Sequence, residues 1–134
     1  MLEIVGLGVA CEVARAWIDD TRIVQLRDAF WQKLQATFGP AIVLNGHPDR
    51  RLPNTLNVSF LGQRGQDILS RIPCLAASTG CACHAGSAHV SPVLAAMGVS
   101  HPVGVGTVRF SLGRHTTSEE IDDVLNSLRQ IVHA

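Results

Sequence analysis

The stretch Thr107-Val108-Arg109-Phe110-Ser111-Leu112 alternates apolar and polar residues. In a β-strand successive side chains point to opposite faces, so Val108, Phe110 and Leu112 share a core face and Arg109 points away from it. Immediately after it, Thr117 and Glu120 have the spacing of a capping box. They open a predicted helix that buries Ile121, Val124, Leu125, Leu128 and Val132. Upstream, Thr55-Leu56-Asn57-Val58-Ser59-Phe60 alternates in the same way and reads as a partner strand. A strand is therefore flanked by a second strand and a helix, which requires a sheet with helices packed on it.

Working further out, Ala41-Ile42-Val43-Leu44 is a short apolar run that reads as another strand, followed by a loop over residues 46–51. Residues 66–72 predict a short helix stopped by Pro73, and Cys74-Leu75-Ala76-Ala77 a short returning strand. In residues 91–98, Ser91 stands at an N-cap, Pro92 at the first helical position and Gly98 just past the end. Toward the N-terminus, Ile4, Leu7, Cys11, Ala14 and Ile18, then Ile23, Leu26, Phe30, Leu34 and Phe38, recur at helical spacing until Gly39-Pro40. Asp19-Asp20-Thr21 serves equally as an N-cap signal or as helix interior, so one helix and two are both open. The fold class expected is α/β, an α+β sandwich of a small sheet backed by helices. A single domain over residues 1–134 comprises a helical lead-in over 1–38 and the sheet and helices over 41–134.

With 134 residues and 46% hydrophobic content, the chain has material for one real core but is short for a complete multi-domain enzyme. Lys plus Arg and Asp plus Glu both count 11, so no strong field exists to attract nucleic acid or an anionic membrane. A small neutral or zwitterionic substrate suits this balance. No apolar run approaches the roughly 20 residues that span a bilayer, and Met1-Leu2-Glu3 lacks the basic start of a secretion signal. A cytoplasmic location is expected. Cys11, Cys74, Cys81 and Cys83 are unevenly spaced, which points to reduced thiols rather than a disulfide framework.

The stretch Ser78-Thr79-Gly80-Cys81-Ala82-Cys83-His84-Ala85-Gly86-Ser87 gathers two thiols and an imidazole among small residues. A thiol is nucleophilic only as thiolate, and an adjacent imidazolium or helix N-terminus lowers its pKa. The competing readings are buried cysteines acting as small hydrophobes, a strained Cys81–Cys83 disulfide, and a zinc site built from Cys74, Cys81, Cys83, His84 and His89. The last departs from the spacing of structural zinc knuckles, so no metal is expected. Arg109, held on a strand, can grip a carboxylate through two parallel hydrogen bonds, or stand as a solvated surface arginine. Arg114, His47, His101, His115 and His133 gain nothing from spacing and read as surface residues.

Several ordered blocks together resemble a known family. They are residues 51–60 (Arg51-Leu52-Pro53-Asn54-Thr55-Leu56-Asn57-Val58-Ser59-Phe60), the 78–87 loop, Ser91-Pro92-Val93-Leu94, residues 108–114 and residues 116–122. Their order is similar to the C-terminal third of the cysteine desulfurases and selenocysteine lyases, which are class-V aminotransferase-like pyridoxal-phosphate enzymes. Residues 4–10 look like the helix that leads out of the large domain in that family.

The resemblance implies the small domain of a fold-type I homodimer whose pyridoxal phosphate sits on a lysine of the large domain, with a catalytic cysteine on the loop at 78–90. Cys83 matches the family cysteine, and Cys81 occupies a position usually held by a small residue. Arg109 matches the arginine that holds the substrate carboxylate. His84 looks more like selenocysteine lyases than desulfurases, and His84 and Cys81 stand as accessory candidates. For cysteine, the implied reaction leaves a persulfide on Cys83 and releases alanine; for selenocysteine, Cys83 assists the departure of selenium. The only lysine, Lys33, sits in a helical pattern without the family's His-Lys pair, so no cofactor-binding residue is expected in this chain, which alone is expected to be inactive. The partners implied are the amino-acid substrate, the large domain or a second subunit, and a sulfur or selenium acceptor protein. The rival reading is a non-catalytic module that accepts sulfur or binds a partner chain.

Overall fold

Strands β1 (Ile42–Leu44), β2 (Thr55–Phe60) and β3 (Thr107–Ser111) form an antiparallel sheet in the order β1-β2-β3 in the computed structural model, which describes residues 1–18, 21–80 and 90–132. Val58 is the hinge of the register, opposite Leu44 on one side and Val108 on the other. The alternation read from the sequence is realised: Leu56, Val58, Phe60, Val108, Phe110 and Leu112 are all buried.

Helices α2 (Thr21–Phe38) and α6 (Ser118–Ile131) cover that apolar face. Phe30 meets Phe110 edge to face at 5.1 Å, and Phe38 meets Phe60 at 5.8 Å, the T-shaped geometry favoured by aromatic quadrupoles. Leu34 and Leu128 are fully buried between helices and sheet. The capping box of α6 forms in both directions. Thr117 Oγ1 accepts from the Glu120 N–H at 3.2 Å, and Glu120 Oε2 accepts from the Thr117 N–H at 3.1 Å.

The apolar N-terminal pattern resolves into two helices, α1 (Leu2–Arg15) and α2, which answers the question left open at Asp19-Asp20-Thr21. α1 buries none of its side chains, and Leu2, Ile4, Val5, Leu7, Val9 and Val13 are exposed. Helical periodicity therefore located this element correctly, but the helix buries no side chain against the described residues.

Short helices α3 (Gly65–Ser70), α4 (Pro92–Ala96) and α5 (His101–Gly104) complete the described chain. α4 begins on Ser91 and Pro92 as the sequence predicts, and Gly98 beyond its end takes the left-handed φ of 80° that glycine tolerates. α5 was missed, although Ser100-His101-Pro102 carries the same N-terminal punctuation.

The expected strand at Cys74–Ala77 does not form. The Leu75 N–H donates to Ile72 O and the Ala77 N–H to Leu75 O, so local turns consume donors that a strand would send sideways. Pairing with the sheet begins only at Ser78, as an isolated bridge to Arg109.

Candidate functional site

On the sheet face opposite the hydrophobic core, a row of polar side chains runs across the strands. Asn45 just past β1, Asn57 on β2, Arg109 on β3 and Ser78 lie side by side. The Asn45 N–H donates to Asn57 O at 2.9 Å, Asn57 is the register partner of Arg109, and Arg109 is bridged to Ser78. Antiparallel partners share a face, so period-two geometry alone assembles this row from residues distant in sequence.

Arg109 is exposed, and among the described residues its guanidinium has no ion pair or side-chain hydrogen bond. Its backbone is held firmly. The Arg109 N–H donates to Ser78 O at 2.7 Å, and the Ser78 N–H donates to Arg109 O at 3.2 Å. A rigid backbone with an uncommitted cationic tip can bind a carboxylate or another planar anion.

Beside it lies a buried polar network. Asn45 Nδ2 donates to Asn57 Oδ1 at 2.8 Å and to Ser59 Oγ at 2.8 Å, and Ser59 and Thr107 share a hydroxyl hydrogen bond at 2.8 Å. Asn45, Ser59 and Thr107 are buried, so their polar groups must be paired internally, and they are. None of the three was singled out in the sequence. The signal was present in the off-face positions of the strands, which carry Asn57 and Ser59 on β2 and Thr107 on β3.

Cys81, Cys83 and His84 lie outside the described residues, as does His89. The described segments on either side of them are anchored. Ser78 is tied to Arg109, and Val90 packs on Gly104 so closely that a Cβ there would come within 2.5 Å of a Val90 methyl. The sequence that carries Cys83 thus joins two points fixed against β3 and α5.

Cys11 and Cys74 are exposed free thiols. Cys74 borders an apolar groove lined by Phe30, Ile72, Phe110 and Ile121. Among the described residues, no three His, Cys, Asp or Glu side chains gather as a metal site. No described helix is long and apolar enough to cross a membrane. His47, His101, Arg114 and His115 are exposed, as a surface reading requires. Lys33 is far from uncommitted: its Nζ pairs with Asp122 Oδ1 across α2 and α6, on the helical layer rather than on the polar sheet face.

The chain is 43% identical over 133 residues to a protein named cysteine desulfurase NifS of Azotobacter vinelandii, a match covering 96% of this chain and 33% of that protein. It is 42% identical over 133 residues to a cysteine desulfurase IscS of Methanosarcina thermophila, covering 96% of this chain and 32% of the relative. A solved NifS-like protein superposes with a TM-score of 0.80 at 27% identity, covering 96% of this chain and 32% of that one. A second, from Rickettsia africae, shares the fold with a TM-score of 0.79. The chain spans about a third of the length of the curated relatives it matches. Residues 1–124 match the family described as aminotransferase class-V, and the chain belongs to that family.

Proposed function

We propose that this chain is the cysteine-bearing C-terminal part of a cysteine desulfurase or selenocysteine lyase, with Cys83 as the sulfur or selenium acceptor and Arg109 as the carboxylate grip. The observation that carries the proposal is Arg109: a guanidinium without a partner among the described residues, on a strand pinned by Ser78, at the foot of the segment that leads to Cys83.

Enzymes of this family use pyridoxal phosphate, which when bound supplies an electron sink for the substrate carbanion. The residues of this chain do not fit the role of holding it. Its single lysine is committed to Asp122 on the helical layer. The lysine and the rest of the cofactor site belong to protein outside this chain, either a large domain or another subunit, and the chain alone is inactive.

Within the complete enzyme, Arg109 binds the α-carboxylate of the amino acid and fixes its orientation. The Cys83 thiolate attacks the substrate sulfur. A sulfur–sulfur bond forms as the carbon–sulfur bond breaks, the electron pair leaves with carbon, and protonation there gives alanine. Sulfur remains on Cys83 as a persulfide for an acceptor protein. With selenocysteine, Cys83 assists the departure of selenium as proton donor or carrier. His84, the next residue in the sequence, would favour the Cys83 thiolate through its positive charge when protonated. A homodimer in the cytoplasm belongs to the same proposal.

The test is to graft this chain in place of the matching third of the Azotobacter relative and follow alanine release from cysteine. Cys83→Ala should abolish it and Cys81→Ala should not. Equal loss in both variants would overturn the assignment. A zinc-binding module predicts instead that Cys83 is protected from alkylation until a chelator is added.

A further inference from the structure

The polar row on the sheet contains a second side-chain donor next to Arg109. Asn57 and Arg109 are direct register partners, and both backbone groups of Arg109 turn the other way, toward Ser78. The two therefore form a non-hydrogen-bonded pair, in which Cα atoms stand about 4.5 Å apart and side chains come closest.

The orientation of the Asn57 amide is set from its other side. Asn45 Nδ2 spends its two hydrogens on Asn57 Oδ1 and Ser59 Oγ, each at 2.8 Å. With Oδ1 committed as acceptor, Asn57 keeps its Nδ2 hydrogens for a partner, and among the described residues it donates to none. A half-buried amide and a guanidinium, neither of which donates to another side chain among the described residues, are together suited to a carboxylate, whose two oxygens accept from both.

We propose that Asn57 is a second contact to the substrate α-carboxylate and that Asn45 is its positioning residue. The inference rests on the reading of Arg109 as a carboxylate grip. It assigns the α-carboxylate two donors from adjacent strands, so that its plane as well as its position is fixed. Asn45, buried and holding Asn57 and Ser59 together, makes that orientation rigid.

The experiment uses the isotope-labelled chain itself, titrated with L-alanine and, separately, with alaninamide, which lacks the carboxylate. The side-chain resonances of Arg109 Nε–H and Asn57 Nδ2–H2 are followed by NMR. L-alanine should move both along one saturation curve, and alaninamide should move neither. Asn57→Ala should weaken L-alanine binding about tenfold, the value of one charge-assisted hydrogen bond. If Arg109 titrates while the Asn57 amide stays still, or if folded Asn57→Ala binds as the parent does, the second contact is wrong while the Arg109 reading stands. If Arg109→Ala binds as tightly as the parent, or the parent shows no saturable shift, the Arg109 reading fails and this inference with it. The parent titration decides the matter even where Asn57→Ala leaves Asn45 unpaired and unfolds the chain.

Discussion

Ser78 and Arg109 exchange two backbone hydrogen bonds, at 3.2 and 2.7 Å, and so tie the end of an irregular segment to the edge of the sheet. Ser78 Oγ is buried and has no hydrogen-bond partner among the described residues. The two groups of this one residue make opposite predictions. Ser78→Pro removes the N–H that faces Arg109 O and should cost about 1–3 kcal/mol in urea unfolding. Ser78→Ala removes only an unsatisfied hydroxyl and should leave stability unchanged or slightly raised.

Lys33 makes the cofactor prediction. Held by Asp122 between two helices and partly exposed, it lacks the desolvated setting that turns a lysine into a nucleophile. Incubation of the chain with pyridoxal phosphate, borohydride reduction and mass spectrometry should give no stoichiometric adduct on Lys33. A site-specific adduct there would mean that the chain holds its own cofactor.

Two glycines allow the sheet to close against its neighbours. A Cβ on Gly65 would fall 2.1 Å from Thr107 O, and one on Gly106 would fall 2.0 Å from Phe60 O. Both obstacles are backbone, which cannot swing aside as a side chain would. Gly65→Ala and Gly106→Ala should each destabilise by about 1–3 kcal/mol, the usual cost of overpacking. Gly62→Ala serves as a control of a different kind, because its Cβ would meet nothing and only its φ of 72° opposes substitution.

Helix α6 depends on its first turn. Thr117→Ala should cost about 1 kcal/mol by breaking the capping box. Glu119 in the same turn is held below the ordinary carboxylate pKa, first by its own backbone N–H and then by the Thr117 and Ser118 hydroxyls. A depressed folded pKa stabilises above the unfolded value and loses that contribution as pH falls through the folded one. Glu119→Gln should therefore flatten the acid side of the stability curve over that window and slightly lower stability near neutral pH, where the carboxylate's contribution is fully present.

Periodicity carried most of the fold. β2, β3 and α6 follow directly from residues 55–60, 107–112 and 117–132, because each has one buried face and a clear period. Cys74–Ala77 failed because four small or apolar residues carry no period, and local turns satisfied their backbone groups instead. The site was legible only in part. Arg109 stood out as a charge on a strand, whereas Asn45, Ser59 and Thr107 are ordinary polar residues until strand register brings them into one network. Asn57 becomes notable only as the cross-strand partner of Arg109, a relation that no spacing along the chain displays.

The proposed mechanism turns on Cys83 Sγ as the atom that receives sulfur. The grafted enzyme should be exposed briefly to cysteine, alkylated and digested, and the peptide containing both loop cysteines fragmented in the mass spectrometer. Cys83 should carry the mass of one additional sulfur atom, retained in Cys81→Ala. Sulfur carried on Cys81, or alanine released with Cys83 replaced, would contradict it.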